Sequence, residues 1–454
     1  MSRFYFDNSK NTVIKTSDQD LVVKPSSLDL FKKLPIQNSF EYVIKDQIYP
    51  QQAITHGNPI VFEVSGSREW GIDLSSFAFN LRLKIVKTDG SDLTANDDNE
   101  VTFTSNFPQS IWRMINLKVS GVDITPSLTN YAYKSYFETI SGAKPVVSKR
   151  ILEESGFYLD SGEPEWNADD NKFLDNSKFK ERCNLTNRSK ILEFQIKPHI
   201  DFLNQKKILI PLTDLEIICY PHASPKFALL QKEEKYDFRI SQATLWVDRV
   251  KLSPDEGIRL ESALELAPAT YVYPSSLLRS FIVNAGSQSF SEQNIFSNKI
   301  PQRLIVAFVD HESFMGSSQK NPYNLSHSDI SDIRIQKNGS PAAYLNPLKG
   351  NFEENLYTDM YLSMCDILKI DNRLASDGLY WSKEDFLNGS ALFGFDLSSS
   401  SNFAEYHVAE NETGSLSIQI NFSRGLTRPI QTLIYGLSHS KTFFFSDRHC
   451  HHVE

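Results

Sequence analysis

Short apolar or alternating runs recur along almost the whole chain, each closed by a loop rich in Gly, Pro, Asn, Asp and Ser. The first series is IVFEVSG (60–66), FNLRLKIVKT (79–88), INLKVSG (115–121), LEFQIK (192–197) and LEIICY (215–220). The second is YDFRISQATLWVDRVKL (236–252), RSFIVNAG (279–286), RLIVAFVD (303–310), SDIRIQKNG (331–339), ALFGFDL (391–397), GSLSIQINFS (414–423) and IQTLIYGLS (430–438). A period of two places alternate side chains on opposite faces, the mark of a half-buried strand. Strands bounded by turns, without a long helix between each pair, argue for antiparallel sandwiches rather than βαβ units. The predicted fold class is all-β with a few short helices.

Beyond the N-terminal arm, four helices are expected. Residues 127–140 place Leu128, Tyr131, Ala132, Tyr136, Phe137 and Ile140 near helical spacing, with Ser127 or Thr129 as N-cap. At 253–266, Ser253 caps, Pro254 takes the first helical position and Glu256 completes a capping box. Residues 355–369 align Leu356, Met360, Met364, Ile367 and Leu368, and a short helix starts at Ser382, three residues before Asp385.

The strand series divide the 454 residues into two β-rich halves of similar size. The change falls at PHASPKFALLQKEEKY (221–236), where polar and charged residues interrupt the pattern. The expected organisation is an arm at 1–45, sandwiches at 46–230 and 231–445, and a frayed tail at 446–454. The arm is polar, with one short helix near 27–34. Its six cations (Arg3, Lys10, Lys15, Lys24, Lys32, Lys33) less four aspartates (Asp7, Asp18, Asp20, Asp29) leave a charge of +2. That suits a tie between subunits better than a DNA-packaging tail.

Net charge is −9, and no run of five like charges occurs, so the basic stripe of a nucleic-acid binder is missing. MSRFYFDNSKNTVIK has no apolar core of signal-peptide length, which predicts that the chain is not secreted by that route. No run approaches the ~18 apolar residues of a membrane span. Cys183, Cys219, Cys365 and Cys450 are far apart and read as free buried thiols.

Catalysis needs titratable groups brought together, and the ten histidines are scattered except at the end. His311 stands between Asp310 and Glu312 at a strand end, a base beside carboxylates or, more simply, a solvated loop. His449, Cys450, His451 and His452 are metal-ligand types, but contiguous ligands do not close a tetrahedral site. TANDDNE (94–100) and EPEWNADDN (163–171) lack calcium-loop spacing and read as long solvated loops. KTFFFSD (441–447) lacks the interleaved Arg and Lys of a base-stacking platform and reads as core or interface. No catalytic, cofactor-binding or metal residue is assigned.

Five segments in order resemble one family: SGVDITPSLTNYAYKSYFETI, VKLSPDEGIRLESALE, FSEQNIFSNKIPQRLIVAFVDHESFMG, KNPYNLSHSDISDIRIQKNG and NGSALFGFDLS. Together they are similar to the large capsid-type protein of Maverick/Polinton elements and adintoviruses, over roughly residues 105–435. The resemblance implies a double jelly roll, two eight-stranded antiparallel sandwiches side by side. It further implies homotrimeric, pseudo-hexagonal capsomers in an icosahedral virion shell assembled inside the host cell. Penton and minor capsid proteins would be the other partners, and encapsidated DNA only an indirect one. The chain departs from the family in a longer, more acidic loop at 150–190 and in its His-rich end. Jelly rolls also serve as lectins, so a ligand- or glycan-binding sandwich is the alternative, and an enzyme on a β scaffold a third.

Overall fold

A computed structural model describes residues 4–7, 12–15, 22–23, 37–125, 130–143, 148–175, 177–368, 379–398 and 411–453. In the first sandwich, Ile60–Val64, Leu215–Pro221 and Trp112–Val119 pair antiparallel, with Val122–Asp123 at the edge. Ser120 and Gly121 turn this last hairpin with φ of 47° and 81°, which glycine tolerates without strain. The facing sheet holds Leu192–Ile196, Ala78–Lys87, Tyr236–Leu252, Trp70–Asp73 and Ile208–Leu209, and Phe40–Ile48 lies on the other side of Tyr236–Leu252. Inward residues of both sheets, among them Phe62, Leu117, Ile217, Phe79, Leu81 and Leu245, merge in one buried core. Across it the Phe62 and Phe79 rings lie 5.4 Å apart.

The second sandwich repeats the plan. Ala269–Val283, Ile430–Phe444, Arg303–Asp310 and Leu392–Asp396 form one sheet, and Ser289–Glu292, Leu416–Phe422 and Ile330–Lys337 the other. Val306, Phe308 and Ile434 pack with Ile333, Ile335, Ile418 and Ile420 between them. Helix Thr358–Ile367 covers the outside of Leu392–Asp396. Gly394 permits that approach: its N–H donates to Ser363 Oγ at 2.9 Å, and a Cβ there would lie 2.7 Å from the Ser363 carbonyl oxygen.

The division between sandwiches is not at 230/231. Strand Tyr236–Leu252 pairs with Ala78–Lys87, Trp70–Asp73 and Phe40–Ile48, so it belongs to the first sandwich. The polar stretch before it is an internal loop, whose Leu229–Gln231 pairs with Val101–Phe103. The sheets change over at helix Pro254–Leu266. The arm is also more ordered than expected, because Phe40–Ile48 starts a sheet strand inside it. Phe4–Asp7, Thr12–Lys15 and Val22–Val23 form a small antiparallel sheet of their own. The helix expected near 27–34 lies outside the described residues.

Helix starts follow local chemistry. Ser382 and Asp385 form the full capping box of Lys383–Leu387. Ser253 caps Pro254–Leu266, accepting from the Glu256 N–H at 3.4 Å. The Glu256 carboxylate turns instead to the Ser39 hydroxyl at 3.5 Å, so the reciprocal half of that box is not made. The helix expected over 127–140 spans Tyr131–Gly142 and begins at Asn130. Ser127 and Thr129 lie outside the described residues.

The sandwiches exchange elements. Ala269–Val283 and Ile430–Phe444 pair along fifteen residues. Tyr271, Tyr273 and Phe444 at one end pack into the first core, while Leu278, Val283, Leu433 and Ile434 at the other build the second. In return, helix Tyr131–Gly142 of the first half puts Tyr133, Tyr136, Phe137 and Ile140 into the second core. Pro274 sits mid-strand because Ala269–Val283 is an edge strand. The Ser276 N–H points outward, to Asp201, so Pro274 two residues earlier faces the same outer side, where no ladder donor is needed.

Candidate functional site

Neither grouping suspected from sequence forms. Asp310 caps the short helix His311–Met315, accepting from the Glu312 N–H at 2.9 Å. Its carboxylate meets Lys320 at 3.3 Å and Arg428 at 3.1 Å, and Glu312 meets Lys320 at 2.6 Å. The His311 ring faces Gln431 Oε1 at 3.1 Å instead. The charges cancel locally and leave no base–carboxylate pair at His311.

The C-terminal histidines do not lie on a frayed tail. Cys450–Val453 is a strand paired with Lys441–Phe444. Alternation sends Cys450 inward, its thiol 3.2 Å from the Val119 carbonyl oxygen, and His452 toward Tyr273 Oη at 3.1 Å, while His451 is exposed. Arg448, nearly buried, donates to the Pro211 carbonyl at 2.9 Å and pairs with Glu261, which clamps this end onto the first sandwich. Side chains split between two faces cannot converge on one ion. Among the described residues no group of three or more His, Cys, Asp or Glu is placed to hold a metal.

The acidic loop is not merely solvated. Trp166 stacks on Phe173 at 4.0 Å, and Phe173 joins a small core with Phe179, Cys183 and Leu230. Nearby, Asp160 holds buried Arg182 through both carboxylate oxygens, at 2.9 and 3.0 Å. A polar cleft of about 530 Å³ opens beside Glu163, lined by Asn324, His327, Arg424 and Arg428 among others. Its guanidiniums are already engaged, Arg424 by Asp329 and Arg428 by Asp310.

A buried ionic cluster at the junction was not legible. Lys134, on helix Tyr131–Gly142, is 2% exposed and sits 2.7 Å from Asp201 and 3.6 Å from Glu138. Glu138 also meets His199 at 2.7 Å and accepts from the Tyr435 hydroxyl at 2.9 Å. Burial opposes charge on Glu138, yet Lys134 and His199 outweigh it and hold the carboxyl down at about 2. Burial wins at Asp201, whose carboxyl is pushed up despite Lys134. The Lys134–Glu138 spacing is visible on a helix, but Asp201 comes from the distant turn Asp201–Leu203 and Tyr435 from within strand Ile430–Phe444. The helix tyrosines serve the same junction: Tyr131 donates to Gln109 at 2.7 Å and Tyr133 to the Pro322 carbonyl at 3.0 Å.

The surface also carries exposed apolar side chains. Among the described residues, strand Phe40–Ile48 pairs along one edge only. Phe40, Tyr42, Val43 and Ile44, with Tyr49 just beyond, are 41–62% exposed. Helix Pro254–Leu266 exposes Ile258 and Leu266, and of its side chains only Leu264 is fully buried. An open strand edge with apolar side chains is a ready pairing surface.

Comparison with known proteins agrees with this architecture. The chain aligns with a chain of the Sputnik virophage at TM-score 0.64 and 12% identity, over 96% of this chain and 93% of that one. The mavirus major capsid protein aligns at TM-score 0.51 and 10% identity, over 96% of both chains. The PBCV-1 virus capsid gives TM-score 0.54 and 11% identity, over 93% of this chain and 99% of that one. The fold is a double jelly roll. An uncharacterized protein of Caenorhabditis elegans is 23% identical over 352 residues, 74% of this chain and 80% of that protein. No family model matches the chain.

Proposed function

We propose that this chain is a structural, non-enzymatic major capsid protein of the Maverick/Polinton or adintovirus type. It trimerises into pseudo-hexagonal capsomers, which assemble an icosahedral shell with penton and minor capsid proteins and meet the packaged DNA only indirectly. The supporting observation is that both jelly rolls, in one chain, align with viral capsid chains over nearly the full length of each. Three copies of a two-sandwich chain present six similar units, which suits a hexagonal footprint. The exposed apolar edge strand Phe40–Ile48 is the natural place to extend contact between copies, since stable assemblies bury on the order of 2,000 Å² or more. The arm before it ties subunits together.

Sedimentation and negative-stain microscopy of the purified chain test this reading. Trimers, hexagonal arrays or shells are expected. A monomer at micromolar concentration that captures sugars on a glycan array would overturn it in favour of a ligand-binding sandwich.

A further inference from the structure

The ionic cluster at the junction is arranged for more than charge pairing. Lys134 Nζ lies 2.7 Å from Asp201 Oδ1. The other Asp201 oxygen, Oδ2, receives the Ser276 N–H at 2.9 Å, while the Ser276 hydroxyl lies between the two oxygens, 3.2 Å from Oδ1 and 3.3 Å from Oδ2. Glu138, one turn along the helix from Lys134, sets Oε1 3.6 Å from Nζ. Glu138 is itself fixed by Tyr435 and His199. Lys134 is 2% exposed, Asp201 11% and Glu138 20%, so little water reaches the group.

We propose that Lys134 and Asp201 join in an intramolecular amide bond, with Glu138 as the proton carrier. The neutral Lys134 amine attacks Asp201 Cγ. Negative charge develops on Oδ2, where the Ser276 N–H meets it. Glu138 takes a proton from the nitrogen and delivers it to Oδ1, which leaves as water. One C–N bond forms and one C–O bond breaks. An amine and a carboxylic acid give an amide and water, with no oxidant or reductant.

The charged pair and the neutral pair hold the same number of protons, so the reactive form is reached by moving one proton along the 2.7 Å contact. Burial pushes Asp201 toward its protonated form. At Lys134 burial opposes the charge, but the two carboxylates hold the ammonium up, so the ionised pair is the resting state and the neutral pair is reached from it by that transfer, before Glu138 acts on the attacking nitrogen. Keeping two ions out of water is unfavourable, and the amide removes both charges. The bond would fasten helix Tyr131–Gly142 to the turn Asp201–Leu203, beside strand Ala269–Val283 of the other sandwich.

The full chain, purified folded and then denatured, is weighed by mass spectrometry against its own sequence mass. A deficit of one water is expected, with a branched proteolytic peptide joining residues 134 and 201. Asp201→Asn should keep the branch and lose ammonia in place of water. Glu138→Gln, which keeps the shape of the side chain, should slow closure about a hundredfold while the β circular dichroism spectrum persists. A wild-type chain at its full sequence mass, or a water deficit that maps to a succinimide with no branched peptide, overturns the proposal. An undiminished branch in Glu138→Gln overturns the part given to Glu138.

Discussion

Glu163, in the first half of the chain, accepts a hydrogen bond from the backbone N–H of Asn321, in the second, at 2.7 Å. Its other oxygen receives Asn324 Nδ2 at 2.8 Å. Asn321 returns the contact through Nδ2 to the Gly162 carbonyl at 3.2 Å, while its Oδ1 accepts from the Tyr323 N–H at 3.0 Å. Beneath them the Tyr323 and Ser110 hydroxyls meet at 2.5 Å. The KNPYN segment is therefore a latch between sandwiches.

Replacing Glu163 tests that latch. Hydrogen bonds to a charged group contribute ~1.5–3 kcal/mol, so Glu163→Ala should lower stability by about 2–3 kcal/mol. Glu163→Gln keeps one acceptor and should lose roughly half as much. Urea midpoints measure both, and equal midpoints for all three proteins would show that the latch adds nothing.

Gly394→Ala should be costly although it adds a single methyl. The new Cβ would meet the Ser363 carbonyl oxygen at 2.7 Å and Ile367 Cδ1 at 2.8 Å. Overpacking of this kind costs ~1–3 kcal/mol. A lowered melting temperature with an intact β spectrum is expected, and suppression by shortening Ile367 to Val would identify the clash as the cause.

Stability should fall in mild acid because of His222. Its ring stacks on Phe227 at 5.4 Å. Burial, and then the Arg113 charge, pushes the imidazole down to about 4 from its ordinary 6.5. Between those values the unfolded chain binds a proton that the folded chain refuses. The contribution is complete above pH 6.5 and is lost as pH falls toward about 4, by roughly 3 kcal/mol in all. Denaturant midpoints across this range, compared with His222→Phe, isolate the effect: the variant's curve should be the flatter one.

The open edge strand should matter to assembly and little to folding. Val43→Lys with Ile44→Lys places two charges on side chains 56% and 42% exposed. Lysine at a strand edge discourages pairing. The expected result is a shift toward monomer in sedimentation with an unchanged melting temperature. Wild-type-like oligomers would remove this strand from the interface.

Local features of this fold are readable in the sequence, and junctions are not. Alternating runs such as LEFQIK and the Ser382–Asp385 box specify their own conformation, because the interactions that make them lie within a few residues. The double jelly roll followed from such runs together with the family resemblance. The polar stretch before Tyr236 misplaced the division, since a loop inside a sandwich and a linker between sandwiches have the same composition. Pro274 hid the first part of Ala269–Val283, because only its place on the sheet edge makes proline tolerable there. Asp201 lies 67 residues from Lys134, and Ser110 lies 213 from Tyr323; no periodicity reports such pairs.

The strand pair Ala269–Val283 and Ile430–Phe444 also sets a timetable for synthesis. Phe444 and Cys450, near the C-terminal end, fill the core of the first sandwich, whose other strands leave the ribosome long before. At translation speeds of ~5–20 residues per second, that core stays incomplete for about ten seconds or more. Neither sandwich closes until Ile430–Phe444 emerges, because that strand contributes to both cores. Emergence of Ile430–Phe444, rather than of any earlier strand, therefore sets when both sandwiches become complete.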